Sequence, residues 1–318
     1  MLTILSVLIP VVLLVALGWF LGWRKIFDES VSNGLNLFLL NVSIPAIFFY
    51  ATYKIDISNL LNPRFIAAYI LLFFIVFIAT YIIFRVGPKR SHVQSTLAAN
   101  CSAVTNFGFV GLPILLLVIG RSILPSMAIL MICYAAIILP CCIFMLEWDS
   151  QNQSASATAF NAFKKSIRHP FVIFTLLGIL CSALHIKLPV FLVNFIQYVE
   201  NTLTPCALIA VGLELSSAKL KELEEIAVFS IIMMIVRPIL GFLIVFLFHL
   251  KPLYATIIIL TFALPTGKTC FVLAKTYNHY VKESSGIISL TTLLSFITIP
   301  LSLIICYHLW PTTFVVRV

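Results

Sequence analysis

One lysine that could take part in binding, Lys268, lies in an otherwise uncharged part of the chain, the stretch ALPTGKTC of residues 263–270. Its Gly-Lys-Thr resembles the end of a phosphate-binding loop, but that loop needs a glycine at position 262, where this chain has Phe262. Lys268 lies about fifteen residues into an apolar segment. An ammonium group at such a depth costs about 2.5–3.5 kcal/mol to insert into a membrane, and a nearby anion would offset that cost. The residue types therefore predict an anion site.

Two interpretations of Lys268 are open. In the first, which we favour, Lys268 binds the carboxylate of a substrate, helped by the hydroxyls of Thr266 and Thr269 and by helix N-termini. In the second, Lys268 forms a structural ion pair with Glu214 or, less favourably, with Glu200.

A second deep cation, Arg237, lies in IVRPIL directly before Pro238. Proline removes a helical hydrogen bond and leaves a carbonyl without its partner. Two roles are open: Arg237 caps such carbonyls, or it balances the charge of Glu214.

The elements that must position these residues are membrane helices. Of the 318 residues, 62% are hydrophobic and 10% are charged, whereas about a quarter of a soluble domain is charged. A helical span needs roughly 20 mainly apolar residues. Ten segments qualify, which predicts an all-α polytopic protein in the lipid bilayer: Leu2–Gly22, Gly34–Tyr53, Phe65–Phe84, Gln94–Ile119, Leu124–Leu146, Phe171–Ile186, Leu192–Leu215, Ile226–Leu250, Leu253–Tyr277 and Gly286–Leu309.

The distribution of lysine and arginine predicts the orientation of these spans. Loops after odd-numbered spans hold twelve of the 20 basic residues, and the opposite side holds six; cytoplasmic loops retain such residues. We therefore expect both termini outside the plasma or inner membrane of the cell, and the linker of residues 148–169 in the cytoplasm. The net charge of +9 follows from this bias, so no nucleic-acid partner is predicted. The first span lacks the basic start of a cleavable signal.

The linker divides the spans into five and five, and the two halves match at an offset of 160 residues. The shift aligns Pro10 with Pro170, Pro45 with Pro205, Pro140 with Pro300, Asn41 with Asn201, and Leu17-Gly18 with Leu177-Gly178. Five spans per half make the halves antiparallel across the bilayer, as in the inverted repeats of many transporters. We predict two inverted five-helix repeats, residues 1–147 and 170–318; the alternative is a chance match.

Spans 2 and 7 carry a proline at the matched position, in NVSIP and NTLTP. Pro45 and Pro205 each remove a helical hydrogen bond, and Asn41 and Asn201 precede them with amides that can satisfy freed carbonyls. The motifs either kink the helices or line a shared cavity. We favour the cavity, because the motif recurs, and predict that Asn41 and Asn201 contact the substrate.

Spans 4 and 9 contain the densest helix-breaking residues. These are Asn106, Gly108, Gly111 and Pro113 in span 4, and Pro265 and Gly267 in span 9. Unwound backbone survives at membrane depth only beside protein or water, and interrupted helices at equivalent places mark a transport site. We therefore predict that spans 4 and 9 break next to Lys268, where Asn106 and Gly108 take part in binding.

Sequence patterns of enzymes and metal sites are missing. The eight cysteines lie in apolar segments, and none has CxxC or Cys/His ligand spacing. The sequence has no HExxH, no Gly-x-Ser-x-Gly and no paired catalytic aspartates. We expect a protein that is not an enzyme and that holds no metal or cofactor.

At these motifs the chain resembles the auxin efflux carrier family, which includes plant auxin carriers and bacterial malate/malonate-type permeases. The resemblance covers nearly the whole chain and rests on LNLFLLNVSIPAIFF, TNFGFVGLPILL, TPCALIAVGLEL and ALPTGKTCFVLAKTYN. It implies ten spans in two inverted repeats, crossed broken helices 4 and 9 at a central site, and a scaffold half and a transport half that move against each other as in an elevator. It also implies transport of organic anions, often without sodium, by a uniport or proton-linked route.

Carried over by position, Pro113 corresponds to the family's crossing proline in span 4. The chain departs from the plant members at Cys270, where they have the second crossing proline, so we expect the break in span 9 to depend on Pro265 and Gly267. It departs again at Lys268, a place that is uncharged in many members.

The sequence thus predicts an alternating-access secondary transporter of a small mono- or dicarboxylate, with H+ favoured over Na+ as the coupling ion and a homodimer as a candidate assembly. Two other functions stay open. A carrier of the bile acid:sodium symporter type would need sodium ligands at the crossing. A transporter-like membrane receptor or sensor would bind its ligand without moving it.

Overall fold

The part of the chain that the structure describes is all-helical, which confirms the prediction of an all-α protein. A computed structural model describes residues 2–54, 62–148, 155–216 and 224–314. Within these ranges the only β contact is an isolated bridge between Thr105 and Thr266. The sixteen α-helices of the described residues are α1 Leu2–Trp23, α2 Glu29–Phe38, α3 Ile44–Tyr53, α4 Pro63–Val86, α5 His92–Ala103, α6 Leu112–Ile119, α7 Leu124–Cys133, α8 Leu139–Glu147, α9 Ala155–Ile167, α10 Pro170–Ala183, α11 Val190–Glu200, α12 Leu203–Ser216, α13 Glu224–Leu247, α14 Pro252–Ala263, α15 Thr269–Thr276 and α16 Val281–Leu309.

Five helical stretches of the described residues are long and apolar enough to cross a membrane. These are Ser30–Tyr53, Pro63–Val86, Arg121–Glu147, Ile226–Leu247 and Val281–Leu309. Four shorter apolar helices accompany them: Ile9–Trp23, Phe107–Ile119, Pro170–Ala183 and Pro252–Ala263. Each segment predicted from the sequence coincides with one helix or with two consecutive helices, since a backbone surrounded by lipid must satisfy its own hydrogen bonds.

Three pairs of consecutive helices are joined by a π turn, and each turn lies just before a proline. The turns are Leu39–Ser43, Phe107–Gly111 and Tyr134–Ile138, followed by Pro45, Pro113 and Pro140. Proline lacks an N–H and its ring clashes with the carbonyl four residues back, so the helix widens before it. In the seventh segment the break is an ordinary turn between Glu200 and Leu203, just before Pro205.

The helices pack into two bundles. Bundle A contains α1, α2, α3, α10, α11 and α12, in which α1 packs along α12 and α10 packs along α3. Bundle B contains α4 to α8 and α13 to α16. At the boundary between the bundles, α7 packs on α3, and α12 packs on α6 and the π turn that precedes it.

The two long helix pairs of bundle A make matching contacts. A Cβ at Gly18 would lie 2.2 Å from the carbonyl oxygen of Ile209 in α12, and a Cβ at Gly178 would lie 2.4 Å from the carbonyl oxygen of Phe49 in α3. Residues 18 and 178, and residues 49 and 209, are each separated by 160 positions. In both pairs a glycine therefore allows the same close approach of two helix backbones.

The connection between the two halves is partly helical. Residues 155–167 of the predicted linker form α9, which packs along α8 and against the π turn of Tyr134–Ile138. Residues 149–154 of that linker lie outside the described residues.

Candidate functional site

Two broken helices face each other at the centre of bundle B. One break separates α5 from α6 and the other separates α14 from α15. The backbone N–H of Asn106 donates to the carbonyl of Pro265 at 2.8 Å, and that of Gly267 donates to the carbonyl of Val104 at 2.9 Å. The two unwound segments thus pair with each other antiparallel and satisfy backbone groups that the helices leave free.

Two glycines let these segments approach closely. A Cβ at Gly267 would lie 3.0 Å from Val104 Cγ1 and 3.1 Å from the carbonyl oxygen of Thr105. A Cβ at Gly111 would lie 2.4 Å from Cδ1 of Leu264. A larger residue at Gly267 would press on the backbone of the other segment, whereas one at Gly111 would first displace the Leu264 side chain.

Arg237 of α13 supports the crossing from inside the bundle and is fully buried. Its guanidinium donates to the carbonyl of Ser102 at 3.1 Å and to that of Leu264 at 2.7 Å. These carbonyls lie at the C-terminal ends of α5 and α14, where helix dipoles place partial negative charge. Arg237 thus caps carbonyls, as one of the two predicted roles had it, but they belong to α5 and α14 rather than to the turn before Pro238. The suggested pairing of Arg237 with Glu214 does not occur, because Glu214 contacts a different cation.

Hydroxyl groups of α16 hold the second break. Thr298 donates to the carbonyl of Ala263 at 2.9 Å, and Thr291 accepts from the N–H of Thr266 at 3.1 Å. The hydroxyl of Thr266 donates to the carbonyl of Cys101 at 2.8 Å. Thr266, a predicted substrate ligand, is buried, and its hydroxyl proton is already donated to a carbonyl of the protein.

Lys268 precedes α15 and reaches across the boundary into bundle A. Its ammonium group forms an ion pair with Glu214 of α12 and donates to Asn36 Oδ1 of α2 at 3.1 Å. Asn36 Nδ2 donates to the same Glu214 oxygen at 2.9 Å, and the hydroxyl of Ser32 lies 3.4 Å from it. We call Lys268, Glu214, Asn36 and Ser32 the lysine network. It contains the ion pair of our second interpretation, with two partners that the sequence did not indicate.

The start of α2 positions two members of this network. Asp28 caps the helix, since its carboxylate accepts from the N–H groups of Ser30 at 3.0 Å and Val31 at 3.2 Å. The Ser30 hydroxyl and these N–H groups hold the pKa of the Asp28 carboxyl below its usual value. Ser32 and Asn36 are four residues apart and therefore share one face of α2, the face toward α12.

The carboxylate of Glu214 borders a crevice beside the crossing. The crevice is small, with a volume of about 20 Å³, and is lined by Asn106, Val211, Glu214, Leu215, Ile288, Ser289 and Thr292. The Asn106 side chain accepts from the N–H of Phe109 at 3.3 Å, and the Phe109 ring centre lies 4.4 Å from the Lys268 nitrogen. A cation, two helix N-terminal ends and an adjoining crevice form an arrangement suited to binding an anion.

The structure does not bring the asparagines of the proline motifs into the lysine network. Asn41 is exposed and donates to the carbonyl of Leu37 in its own helix at 2.8 Å, and Asn201 is exposed as well. The breaks that contain them are linked by the hydroxyls of Ser43 and Thr202, which lie 2.7 Å apart. The polar link between spans 2 and 7 is thus a pair of hydroxyls.

Two other predicted residues lie beside the crossing. Thr269 is exposed in the first turn of α15, and its hydroxyl lies 2.9 Å from that of Tyr134. A Cβ at Gly108 would fit without a clash, because the nearest atom, a methyl carbon of Ile44, is 4.0 Å away.

A second ion pair crosses the boundary between the bundles. Arg121, in the turn before α7, pairs with Glu200 at the end of α11 and stands 5.6 Å from the ring centre of Tyr50. The Glu200 side chain is buried, whereas 53% of the Arg121 side chain is exposed. Glu200, which the sequence offers as a weaker partner for Lys268, is thus paired elsewhere.

Metal-binding clusters are missing from the part of the chain that the structure describes: no three His, Cys, Asp or Glu side chains gather there. All eight cysteines are free. Cys270, at the place of the expected second crossing proline, is buried and donates to the carbonyl of Asn100 at 3.5 Å.

A family model and several known transporters match this chain over nearly its full length. The family model described as "Membrane transport protein" matches residues 3–303. The chain is 25% identical over 300 residues to the "Putative malonate transporter" of Rhizobium meliloti (strain 1021), which covers 93% of each chain. It is 23% identical over 301 residues to the "Uncharacterized transporter YfdV" of Escherichia coli (strain K12), which covers 92% of this chain and 95% of that protein.

Proposed function

Because the chain belongs to this membrane transport protein family, the auxin efflux carriers, we propose that it is a secondary transporter of a small carboxylate. It is an integral membrane protein whose relatives are named transporters, and we propose no enzymatic activity for it. The observation that carries the proposal is the position of Lys268, a cation at the crossing of two broken helices, in contact with a carboxylate.

Glu214 is a guide to the ligand that this site accepts. Its carboxylate accepts hydrogen bonds from Lys268 and Asn36 and borders the crevice. A substrate carboxylate has the same charge and the same oxygen acceptors, and charge-assisted hydrogen bonds are stronger than neutral ones. The name of the Rhizobium relative supports malonate as a first substrate to test.

We further propose that ten helical segments cross the membrane as two inverted five-helix repeats. The matching glycine contacts of bundle A support this arrangement. So does the hydroxyl of Thr52, which donates to the carbonyl of Thr175 at 3.0 Å. The residues 160 positions from these two are Gly212 and Val15, and a Cβ at Gly212 would lie 2.1 Å from the Val15 carbonyl oxygen. The breaks between α5 and α6 and between α14 and α15 pair antiparallel, and two segments related by a two-fold axis would pair in the same way.

Transport would proceed by alternating access, as bundle B moves relative to bundle A. The crossing belongs to bundle B, and its partners Glu214 and Asn36 belong to bundle A. An apolar cavity of about 50 Å³ lies at the boundary, lined by residues of α1, α6, α12 and α16, so packing between the bundles is incomplete there. We propose a uniport or proton-linked route, with both termini outside and residues 148–169 in the cytoplasm.

Uptake by proteoliposomes tests this function. Labelled malonate and a panel of mono- and dicarboxylates would be offered with and without sodium and pH gradients. We expect uptake of small carboxylates without sodium. Lys268→Gln should lower it by about tenfold or more, since a hydrogen bond to a charged group contributes about 1.5–3 kcal/mol. Lys275→Gln changes an exposed lysine of the same helix and should have no effect.

Other outcomes would redirect the proposal. Sodium-dependent uptake would favour a carrier of the bile acid:sodium symporter type, and tight binding without uptake would favour a receptor or sensor. Unchanged uptake by Lys268→Gln would remove Lys268 from the substrate site and leave the helix breaks as its main component.

A further inference from the structure

The ion pair between Lys268 and Glu214 joins the two bundles. Lys268 lies in bundle B, whereas Glu214 and Asn36 lie in α12 and α2 of bundle A. Movement of one bundle along the other must therefore separate the ammonium group from the carboxylate.

The two partners differ in what they keep when they separate. Glu214 keeps donors of its own bundle, from Asn36 at 2.9 Å and Ser32 at 3.4 Å. Among the described residues, the polar partners of Lys268 belong to bundle A, and on its own bundle the nearest favourable group is the Phe109 ring at 4.4 Å. Only 22% of the Lys268 side chain is exposed, so water solvates it poorly and a cation without an anion is costly there.

We propose, resting on carboxylate transport as the function, that Glu214 is an internal substitute for the substrate. In the empty protein Glu214 neutralises Lys268 and holds the bundles together. A substrate carboxylate that enters the adjoining crevice replaces Glu214 on Lys268 and travels with bundle B, paired with the ammonium group. The carboxylate of bundle A and the carboxylate in transit thus compete for one cation.

This competition slows the return of the empty protein. A ligand shifts a conformational equilibrium only as far as its affinities for the two states differ. The substrate carboxylate stays on Lys268 as bundle B moves, whereas Glu214 remains behind on bundle A. The loaded protein therefore changes state readily, while the empty protein must first break its ion pair. The consequence is that the protein exchanges carboxylates faster than it carries a carboxylate one way.

The second ion pair at the boundary has no such dependence on substrate. The Arg121 side chain is 53% exposed, so water solvates its guanidinium when it leaves Glu200. Neither residue lines the crevice beside Glu214, and a carboxylate bound there does not compete with Glu200. The contact that responds to substrate is the pair of Lys268 and Glu214.

Proteoliposomes loaded with buffer or with unlabelled malonate separate one-way uptake from exchange. Entry of labelled malonate would be measured with the membrane potential clamped, and malonate affinity would be measured in detergent. In the parent protein, exchange should exceed one-way uptake by about tenfold or more, which corresponds to about 1.4 kcal/mol in barrier height. Glu214→Gln should bring the two rates within about twofold by raising one-way uptake. It should also tighten malonate binding by about tenfold, because the competing carboxylate is gone.

The matched control is Glu147→Gln. Glu147 accepts from the hydroxyl of Tyr277 at 2.7 Å within bundle B, and a glutamine oxygen can still accept. This variant should keep the parent's ratio of rates and its affinity. If Glu214→Gln does not fold, Glu214→Asp provides the same test, since the shorter carboxylate holds Lys268 less closely and should give an intermediate ratio.

The outcomes separate the inference from the function on which it rests. Equal exchange and one-way rates in the parent, or an unchanged ratio in a folded Glu214 variant, would overturn the inference alone. A parent protein that exchanges no carboxylate of the panel would overturn the proposed function and the inference together.

Discussion

The two deep cations of this protein, Arg237 and Lys268, are stabilised in opposite ways. Arg237 is fully buried and donates to the carbonyls of Ser102 and Leu264, both in its own bundle. Lys268 is partly exposed and pairs with Glu214 of the other bundle. Arg237 lies at two helix C-terminal ends, where the dipoles favour a cation, whereas Lys268 lies at an N-terminal end, where they favour an anion beside it.

These different partners indicate different roles: Arg237 stabilises the crossing, whereas Lys268 is available at the crossing to bind a ligand. The carbonyls bound by Arg237 stay with it however the bundles move, so Arg237 contributes to the fold. The carboxylate on Lys268 is supplied by another bundle and is exchangeable in principle. Loss of Arg237 should therefore appear in stability, and loss of Lys268 in binding.

The largest effect on stability is expected from Arg237→Gln. Glutamine is too short to reach both carbonyls, and each buried group left unsatisfied costs about 1–3 kcal/mol, so the free energy of unfolding should fall by roughly 2–6 kcal/mol. Thermal unfolding of the purified protein in detergent measures this. Arg64→Gln, at an exposed position at the start of α4, is the control. An Arg237→Gln protein as stable as the control would erase the distinction between the two cations.

Thr291→Val should produce the next largest effect. Valine has the shape of threonine but no acceptor for the N–H of Thr266, a bond of 3.1 Å in a buried position. The expected loss of stability is about 1–3 kcal/mol. Thr276→Val, at an exposed position of α15, is the matched control. Malonate affinity should stay near that of the parent in Thr291→Val. A large loss of affinity with little loss of stability would show that Thr291 of α16 serves binding, as proposed for Lys268, rather than stability, as proposed for Arg237.

Removing both charges of the lysine network should have a smaller effect on stability. Both side chains are largely buried, with 22% of Lys268 and 33% of Glu214 exposed, and replacing both partners of such a pair leaves no unpaired charge, so the change is often close to neutral. The double variant Lys268→Gln with Glu214→Gln should therefore melt within a few degrees of the parent and still fail to transport carboxylates. Recovery of transport in the double variant would show that the pair is structural and that Lys268, like Arg237, contributes to the fold rather than to binding.

Features that depend on local sequence were predictable. The apolar segments coincide with helices, and prolines such as Pro45 and Pro113 mark helix irregularities, because the missing N–H acts within one turn of the chain. The capping role of Arg237 and the pairing of Lys268 with Glu214 were among the stated possibilities, because a cation inside an apolar segment needs a partner.

The partners that come from distant segments were not predictable. Asn36 is 178 residues from Glu214, and Thr298 is 35 residues from Ala263. Asparagines and threonines are common on helices, so their types alone do not show which of them meet across a bundle. The alternative in which Arg237 balances the charge of Glu214 was wrong for the same reason. Depth in the membrane is visible in the sequence, but the bundle to which a helix belongs is not.

The smallest effects are expected at the asparagines of the proline motifs. Asn41 and Asn201 are both exposed, and the hydrogen bond of Asn41 goes to Leu37 of its own helix. Asn41→Ala and Asn201→Ala should therefore change stability by no more than about 0.5 kcal/mol and leave carboxylate uptake within about twofold of the parent. The contrasting variant is Ser43→Ala, which loses its bond to Thr202 between the two breaks and should be less stable by about 1 kcal/mol. All three variants would be measured by thermal unfolding and proteoliposome uptake. A strong loss of uptake in Asn41→Ala or Asn201→Ala, without a loss of stability, would show that the substrate contacts bundle A at the proline motifs as well as Lys268 on bundle B.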